Sequence, residues 1–325
     1  MEKITLGRSG LKVSPICFGT WELGGEWGAF DEKAATAAIH RARELGVNFF
    51  DTAQGYGFGE SEELLGAALA KELGADRDEL VIATKGGLRR EGDRMVRDAS
   101  AEWLRDGVDA SLRALGVDAI DLYQVHWPDT KVPFAETAGA LADLKAAGKV
   151  RHVGVSNFDA AEMDEVNRTL PVETLQPVYH LFRRDIEESV LPYTKANDIG
   201  VLVYGPLGHG LLSGALSTET RFALDDWRSK SHVFQGEPYR RNLRVVSALE
   251  RFARLELGTS VSRLAIAWAL ANPAVQVAIV GTRNPKHIDD AIAAADLELD
   301  PSALRRIEDI ISDEVRVGGP SPESV

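Results

Sequence analysis

Around residue 50 the chain reads Leu45-Gly46-Val47-Asn48-Phe49-Phe50-Asp51-Thr52-Ala53-Gln54-Gly55-Tyr56-Gly57. An apolar, strand-like run follows a glycine and stops at a carboxylate and a turn, with a phenol five residues after the acid. A glycine after an amphipathic stretch supplies the left-handed conformation that ends a helix and returns the chain to a sheet. The stretch therefore predicts a helix end, a strand, and a loop that carries polar side chains.

The same unit recurs along the chain. Gly116, Gly148 and Gly200 also stand between an amphipathic stretch and an apolar run. Eight apolar runs are predicted as strands, over residues 16–20, 48–52, 80–85, 120–127, 150–157, 174–179, 201–207 and 275–282. Between them, apolar residues three and four apart predict amphipathic helices. Eight strands alternating with helices predict a parallel (β/α)8 TIM barrel. An open doubly wound sheet is the alternative, but no G-x-G-x-x-G motif joins a first strand to a first helix.

Segments outside the alternation complete the expected architecture. Residues 4–13 read as a β-hairpin that caps the barrel floor, and residues 208–242, after the seventh strand, read as a long loop that forms a lid or wall. Two C-terminal helices are predicted over residues 286–295 and 301–312, followed by an irregular tail at 315–325. No linker divides the chain, so we expect one domain over residues 1–325.

Composition narrows the class of protein. Hydrophobic residues make up 44% and charged residues 27% of the 325 residues, which suits one large core. The formal net charge of −13 argues against a nucleic-acid-binding surface, because such a surface needs basic residues to displace counterions from phosphates.

Cys17 is the one cysteine and cannot form an intrachain disulfide. No apolar run approaches the ~20 residues that span a bilayer, and the N-terminus lacks a secretory signal pattern, so a cytoplasmic protein without membrane or nucleic-acid partners is expected. The pattern predicts no metal site and leaves the oligomeric state open.

Polar side chains stand where the predicted strands end. Asp51 ends the second strand, Tyr56 lies in the loop after it, Lys85 ends the third strand and His126 lies near the end of the fourth. The C-terminal ends of barrel strands meet at one face, where active sites of this fold are built. Each residue also has an ordinary structural explanation, such as a helix cap for the acid or a packed ring for the phenol. Together they predict more, because a lysine inside an apolar strand needs a partner such as Asp51, and its charge would lower the pKa of a neighbouring phenol.

Five motifs in order resemble those of the aldo-keto reductase family. They are Asp51-Thr52-Ala53 with Tyr56-Gly57, the strand ending in Lys85, Tyr123-Gln124-Val125-His126-Trp127, Gly154-Val155-Ser156-Asn157-Phe158, and Gly281-Thr282-Arg283. Within the family, the chain is most similar to the bacterial stress-related and inositol-operon-type reductases and to their relatives, the potassium-channel β subunits. The resemblance implies a barrel that binds NADPH, or NADH, without a Rossmann fold and reduces aldehydes or ketones by hydride transfer.

The resemblance also implies roles for individual residues. Tyr56 matches the proton donor, Lys85 and Asp51 the pair that tunes it, and His126 the residue that orients the carbonyl. For the cofactor it implies contacts from Gly19, Thr20, Trp21, Ser156, Asn157, Gln176, Tyr204, Gly205, Pro206, Leu207, Gly210, Gly281, Thr282, Arg283 and His287. Arg283 stands where the family binds the adenosine 2′-phosphate, which favours NADPH. The chain differs from the family's usual pattern at Ala215, His287 and Ala291.

The substrate is predicted only as a small carbonyl compound. Trp21, Trp27, Trp127 and Trp227 would form an aromatic mouth suited to hydrophobic or aromatic carbonyls, while polyols, sugars and methylglyoxal-like aldehydes remain compatible. Three functions compete at this point: a carbonyl reductase, a Schiff-base lyase that uses Lys85, and a cofactor-occupied sensor or binding subunit with slow turnover. An Asp51 partner that keeps Lys85 charged makes the lyase the weakest of the three.

Overall fold

Eight parallel strands close into a barrel in a computed structural model, which describes residues 1–25, 27–92, 94–224 and 226–312. The strands are Ile16–Gly19, Phe49–Asp51, Val81–Gly86, Ile120–Val125, Val150–Ser156, Thr174–Gln176, Gly200–Tyr204 and Val277–Gly281. Each strand pairs in parallel with the next along the chain, and the eighth pairs with the first. The predicted (β/α)8 TIM barrel is confirmed, and all eight predicted strands are found with shifted ends. The predicted tail at 315–325 lies outside the described residues.

Eleven α-helices in the described part of the chain surround the barrel. They are α1 (Glu32–Glu44), α2 (Glu60–Ala68), α3 (Ala70–Ala75), α4 (Ala101–Leu115), α5 (Phe134–Ala146), α6 (Ala160–Asn167), α7 (Val190–Ala196), α8 (Gly236–Glu256), α9 (Val261–Leu270), α10 (Pro285–Ala293) and α11 (Pro301–Ile311). Their apolar stripes pack on the outer faces of the strands, as the spacing of apolar residues predicts. The two predicted C-terminal helices correspond to α10 and α11.

Alternation along the strands separates two cores. On the third strand, Val81 and Ala83 point into the barrel and Ile82 points towards the helices. The inner core is completed by further apolar side chains, among them Cys17, Phe49, Leu122, Leu202 and Val277. Lys85 is the next inward-facing residue after Ala83. The alternation of side chains along the strand therefore places this lysine at the C-terminal mouth of the barrel.

The predicted N-terminal hairpin is present at the barrel floor. Ile4–Thr5 pairs with Lys12–Val13 in antiparallel fashion, and the side chain of Leu6 is completely buried. The Arg8 backbone N–H donates to the Asp198 carbonyl at 2.7 Å, which fastens the hairpin beside the start of the seventh strand.

Two sequence expectations about turns and loops were wrong. The loop expected over 208–242 ends earlier, because α8 begins at Gly236 with Pro238 in its first turn, a position where proline costs no hydrogen bond. Gly200 does not end a helix in the left-handed conformation: Asp198 takes that conformation (φ 51°), and Gly200 already belongs to the seventh strand.

A second antiparallel hairpin was not predicted. Leu88–Glu91 pairs with Arg94–Arg97 directly after the third strand, on the C-terminal face. Its arginine-rich composition hides the alternation of a strand, since only Leu88, Met95 and Val96 are apolar. No helix among the described residues is long and apolar enough to cross a membrane.

Candidate active site

Lys85 forms the centre of a buried polar cluster at the C-terminal mouth of the barrel. The side chain is completely buried. Its Nζ lies 2.6 Å from Asp51 Oδ1, 2.9 Å from the Thr52 carbonyl oxygen and 3.2 Å from the Tyr56 hydroxyl. An ammonium group has three protons to donate, and these three acceptors match them. A buried charge without partners would be strongly destabilising, so the pairing with Asp51 explains how this lysine is tolerated.

The loop after the second strand brings Tyr56 back over Lys85. It continues the pairing beyond the strand, because the Thr52 N–H donates to the Ala83 carbonyl and the Gln54 N–H to the Lys85 carbonyl, both at 2.9 Å. A turn follows, in which the Tyr56 N–H donates to the Ala53 carbonyl at 3.1 Å. The Lys85 ammonium consequently lies 4.9 Å from the centre of the Tyr56 ring as well as near its hydroxyl.

His126 stands beside Tyr56 as a neutral imidazole. The two rings lie edge to face, with centroids 5.6 Å apart. Burial, and secondarily the Lys85 charge, hold the pKa of His126 well below its ordinary value. Among the described residues, its buried Nδ1 has no hydrogen-bond partner. A neutral ring has one donor and one acceptor nitrogen, so His126 can donate an N–H to a bound oxygen without carrying a charge.

Two glutamine amides hold the second oxygen of Asp51. Gln176 Nε2 lies 2.9 Å and Gln124 Nε2 3.3 Å from Asp51 Oδ2, and Gln176 Nε2 also lies 3.3 Å from Gln124 Oε1. Gln124 was not predicted as a site residue. The period of two on the fourth strand would have identified it, because Leu122, Gln124 and His126 share the inward face.

Ser156, Asn157 and Tyr204 form a second polar cluster beside the first. Tyr204 donates its hydroxyl to Asn157 Oδ1 at 2.9 Å, and Asn157 Nδ2 donates to the His126 carbonyl at 3.1 Å. Asn157 adopts the left-handed conformation (φ 63°), which asparagine tolerates better than most residues. Ser156 Oγ donates to the Gln176 carbonyl at 2.8 Å, so this cluster touches both His126 and Gln176.

A cavity of about 390 Å³ opens from these clusters across the C-terminal face. Most of the predicted site residues line it, namely Gly19, Thr20, Trp21, Trp27, Asp51, Tyr56, Gln176, Tyr204, Gly205, Pro206, Leu207, Gly210, Gly281, Thr282 and His287. Lining residues that the sequence did not single out include Glu22, His209, Arg228, Ser262, Lys286 and Asp290. Seven predicted site residues are not part of this lining, namely Lys85, His126, Ser156, Asn157, Arg283, Trp127 and Trp227. All of them except Trp127 contact residues that do line the cavity.

Three of the four predicted tryptophans come together at the mouth. Trp21 stacks on Trp227 with centroids 6.2 Å apart, and Trp27 meets Trp21 edge to face at 4.9 Å. His209 packs against the same rings, 5.2 Å from Trp227, and burial lowers its pKa to about 3. Trp127 lies apart from them, with the Arg97 guanidinium 5.0 Å above its ring.

Arg283 binds the loop after the first strand. Its Nη1 donates to the carbonyls of Trp27, Gly28 and Ala29 at 3.3, 3.2 and 3.5 Å. Its Nε lies 3.8 Å from Glu22 Oε2, and burial raises the pKa of Glu22 although Arg283 and Arg228 oppose that effect. The Lys and Arg side chains that line the cavity are Arg228 and Lys286, the latter in the first turn of α10. No group of three or more His, Cys, Asp and Glu in the described ranges is arranged to hold a metal ion.

Comparison with known proteins gives one consistent result. The family model described as Aldo/keto reductase family matches residues 15–312. Aldo-keto reductase YhdN of Bacillus subtilis is 42% identical over 89% of this chain and 87% of its own length. NADH-specific methylglyoxal reductase of Escherichia coli is 33% identical over 92% of this chain and 95% of its own. The solved structure of glycerol dehydrogenase AKR11B4 from Gluconobacter oxydans superposes with a TM-score of 0.86 at 36% identity, covering 96% of this chain and 95% of that one.

Proposed function

The chain belongs to the aldo/keto reductase family, and we propose that it reduces an aldehyde or ketone to an alcohol, reversibly, with NADPH as hydride donor. We take residues 1–325 as one catalytic domain. The observation that carries the proposal is the contact of the Lys85 ammonium with both Asp51 and the Tyr56 hydroxyl in a buried site that opens on a cavity. The names of the relatives support a nicotinamide-dependent oxidoreductase as the general class.

Proton transfer is assigned to Tyr56. During reduction, negative charge builds on the carbonyl oxygen of the substrate, and the Tyr56 hydroxyl donates its proton there. Lys85, 3.2 Å away, stabilises the phenolate that remains, while Asp51 is the ion-pair partner of Lys85. In this proposal His126 donates a neutral N–H to the same oxygen. In the reverse direction the Tyr56 phenolate accepts the proton of the alcohol.

Residues at both ends of the cavity support the proposal that it binds a nicotinamide dinucleotide. Tyr204 offers an aromatic face and Gln176 an amide in the cavity wall, beside Asn157 and Ser156. At the other end, Ser262 and Lys286 stand in the first turns of α9 and α10, where backbone N–H groups and the helix dipole favour an anion such as a phosphate. When bound, the reduced nicotinamide ring would supply the hydride.

A preference for NADPH is supported by cations near the α10 end. Lys286 lines the cavity there, and Arg283 precedes α10, with its guanidinium bound to the loop at Trp27 beside the cavity. Asp290 shares this end, but its carboxylate is already occupied by Ser260, Ser262 and Arg263 at 2.7 to 2.8 Å. The carboxylate therefore repels a phosphate less than a free one would. One relative is named as NADH-specific, so the preference needs a direct test.

The substrate pocket is proposed between Tyr56 and the aromatic rings of Trp21, Trp27 and Trp227. Trp21 lies 6.4 Å from the Tyr56 ring, which places the aromatic group next to the proton donor. Apolar or aromatic carbonyl compounds suit such a wall. Trp127 is left out of this pocket because it packs under Arg97 instead.

The decisive experiment combines turnover with cofactor binding. Purified protein should oxidise NADPH in the presence of a simple aromatic aldehyde, and Tyr56→Phe should lower kcat by about 100-fold or more. Quenching of tryptophan fluorescence should show that Tyr56→Phe still binds NADPH and that the wild type binds NADPH more tightly than NADH. Tyr193→Phe is the control, because its hydroxyl bonds only to Asn167 among the described residues, on the outer layer of helices.

Other outcomes separate the competing functions. A Tyr56→Phe variant with unchanged turnover would exclude the proposed mechanism. Tight cofactor binding with no turnover over a broad panel of aldehydes and ketones would favour a cofactor sensor. Trapping of a covalent adduct on Lys85 by borohydride would favour a lyase, which the three contacts of its ammonium group argue against.

A further inference from the structure

The two oxygens of the Asp51 carboxylate accept hydrogen bonds from different groups. Oδ1 receives the ammonium of Lys85 at 2.6 Å, and Oδ2 receives the side-chain amides of Gln176 at 2.9 Å and Gln124 at 3.3 Å. Asp51 is 2% exposed, so water contributes little to the solvation of its carboxylate. A buried carboxylate needs donors on both oxygens, and the two amides supply those on the side away from Lys85.

The same contacts determine which end of Gln176 faces the cavity. An ionised carboxylate only accepts hydrogen bonds, so both glutamines must turn their NH2 groups towards Asp51. Gln176 Nε2 also lies 3.3 Å from Gln124 Oε1, which uses its second N–H. With its nitrogen engaged by Asp51 and Gln124, Gln176 is left with its amide oxygen for a group bound in the cavity that it lines.

Space for Gln124 inside the barrel comes from a glycine on the neighbouring strand. A Cβ added to Gly154 would lie 3.3 Å from Gln124 Cγ and 2.1 Å from Thr174 Oγ1. Gln124 is completely buried, two positions before His126 on the inward face of the fourth strand. It contacts Asp51 and Gln176 and no group that the proposed mechanism places against the substrate.

We propose that Gln124 is a positioning residue that orients Asp51 towards Lys85 and, through Gln176, presents an amide oxygen to the N–H of the nicotinamide carboxamide. The inference rests on the proposed function and adds to it a link between cofactor binding and proton transfer. Carboxamide binding and the Lys85–Tyr56 contact then share one hydrogen-bonded chain that runs from Gln176 and Gln124 through Asp51 to Lys85.

Two substitutions of similar size separate this role from simple packing. Gln124→Met keeps the volume but removes both the donor and the acceptor. We expect it to weaken NADP+ binding on the order of tenfold, the effect of about one hydrogen bond. It should also move the pH midpoint of alcohol oxidation upwards, because Asp51 then keeps only one amide donor, Gln176, on its Oδ2 and leaves less of the Lys85 ammonium charge to stabilise the Tyr56 phenolate.

Gln124→Glu gives a readout that a packing role cannot produce. When protonated, a carboxyl group donates through its O–H and accepts through its C=O, as the amide does. NADP+ affinity of Gln124→Glu should therefore match the wild type at mildly acidic pH. It should fall at alkaline pH, where a second carboxylate would ionise beside Asp51. The tyrosinate absorbance of the cofactor-free protein, with Tyr56→Phe as the blank, gives the same comparison without turnover.

Leu122→Met is the matched control, since Leu122 lies two positions earlier on the same inward face and is equally buried. It should change neither NADP+ affinity nor the pH midpoint. The inference is overturned if Gln124→Met keeps the wild-type affinity and midpoint, or if Leu122→Met changes both in the same way. Failure of the wild type to bind NADP+ or NADPH would instead overturn the proposed function itself.

Discussion

Each buried charge at the site is stabilised by a specific side chain of opposite charge. Lys85 and Asp51 are both almost completely excluded from water, and their contact at 2.6 Å replaces the hydration that each has lost. Removal of one partner would leave the other charge buried and unpaired. The resulting loss of stability is larger than the net stabilisation that the intact pair contributes. The histidines in the same region are instead buried as neutral rings. Burial lowers the pKa of His126, His180 and His209 alike.

His209 makes the folded state sensitive to acid. The pKa of His209 is about 3 in the folded protein, whereas that of an unperturbed histidine is 6.5. Below pH 6.5 the unfolded chain therefore binds a proton at this residue that the folded chain does not bind. The free energy of unfolding should thus fall with decreasing pH. Between about pH 7 and pH 5 the loss due to His209 is up to about 2 kcal/mol, an upper value because the ring borders the cavity.

Comparison with His209→Asn tests this effect by urea unfolding at several pH values. Asparagine tolerates the left-handed backbone of this position (φ 55°) and does not titrate. The wild type should lose more stability than His209→Asn as the pH falls. Parallel curves for the two proteins over this range would contradict the prediction.

At the scale of elements, the loop after the seventh strand is held by one arginine. The guanidinium of Arg228 lies 4.8 Å from the ring centre of Trp27 and 4.5 Å from that of Phe222. It also pairs with Asp226 at 2.6 Å and donates to the His209 carbonyl at 3.3 Å. Arg228 thereby joins the loop after the seventh strand to the loop after the first, and both border the cavity.

Arg228→Leu should open this loop. The substitution removes two cation–π contacts of about 0.5–2 kcal/mol each and takes the guanidinium partner away from the buried carboxylate of Asp226. We expect on the order of tenfold faster cleavage of the loop by thermolysin under native conditions and a raised KM. Arg221→Leu is the control, because Arg221 is exposed in the same loop and donates to the carbonyls of Thr218 and Thr220 next to it. Equal cleavage of both variants would show that Arg228 does not hold the loop.

At the scale of the whole molecule, the N-terminal hairpin closes the end of the barrel opposite the site. Leu6 fills the interior from below, and Gly7 lies directly against the backbone of Gly200 at the start of the seventh strand. A Cβ on Gly7 would lie 2.2 Å from the Gly200 nitrogen, where no side chain can move aside. The floor therefore depends on glycine at both of these positions.

Gly7→Ala should destabilise the protein by about 3 kcal/mol, from overlap with backbone added to left-handed strain of about 1 kcal/mol. Gly10→Ala provides the matched control. Gly10 has a similar positive φ (71° against 47°) in the same hairpin, but its Cβ would meet nothing within 4 Å. It should lose only the strain, and thermal and urea unfolding of the two variants measure the difference. Equal losses would mean that the hairpin adjusts without cost.

Much of this organisation follows from the sequence alone. Periods of two and of three to four residues predict the strands and helices, and their strict alternation predicts the barrel, because each βα unit is built from residues close together in the chain. The same periods place Asp51, Lys85 and His126 at strand ends, and strand ends of a parallel barrel must meet at one face. The arginine-rich hairpin after the third strand escaped prediction because charged residues mask its alternation.

Only the tertiary structure decides which of those side chains touch. Gln124 and Gln176 are 52 residues apart, yet closure of the barrel brings both onto Asp51. Arg283 bonds to the loop at Trp27 and Trp127 packs under Arg97, although both residues belong to sequence motifs of the site. The physical reason is that these contacts depend on long-range interactions, between residues far apart in the chain. Local spacing sets which face of a strand a side chain occupies, whereas the register between strands and the course of the connecting loops set the distances across the barrel mouth.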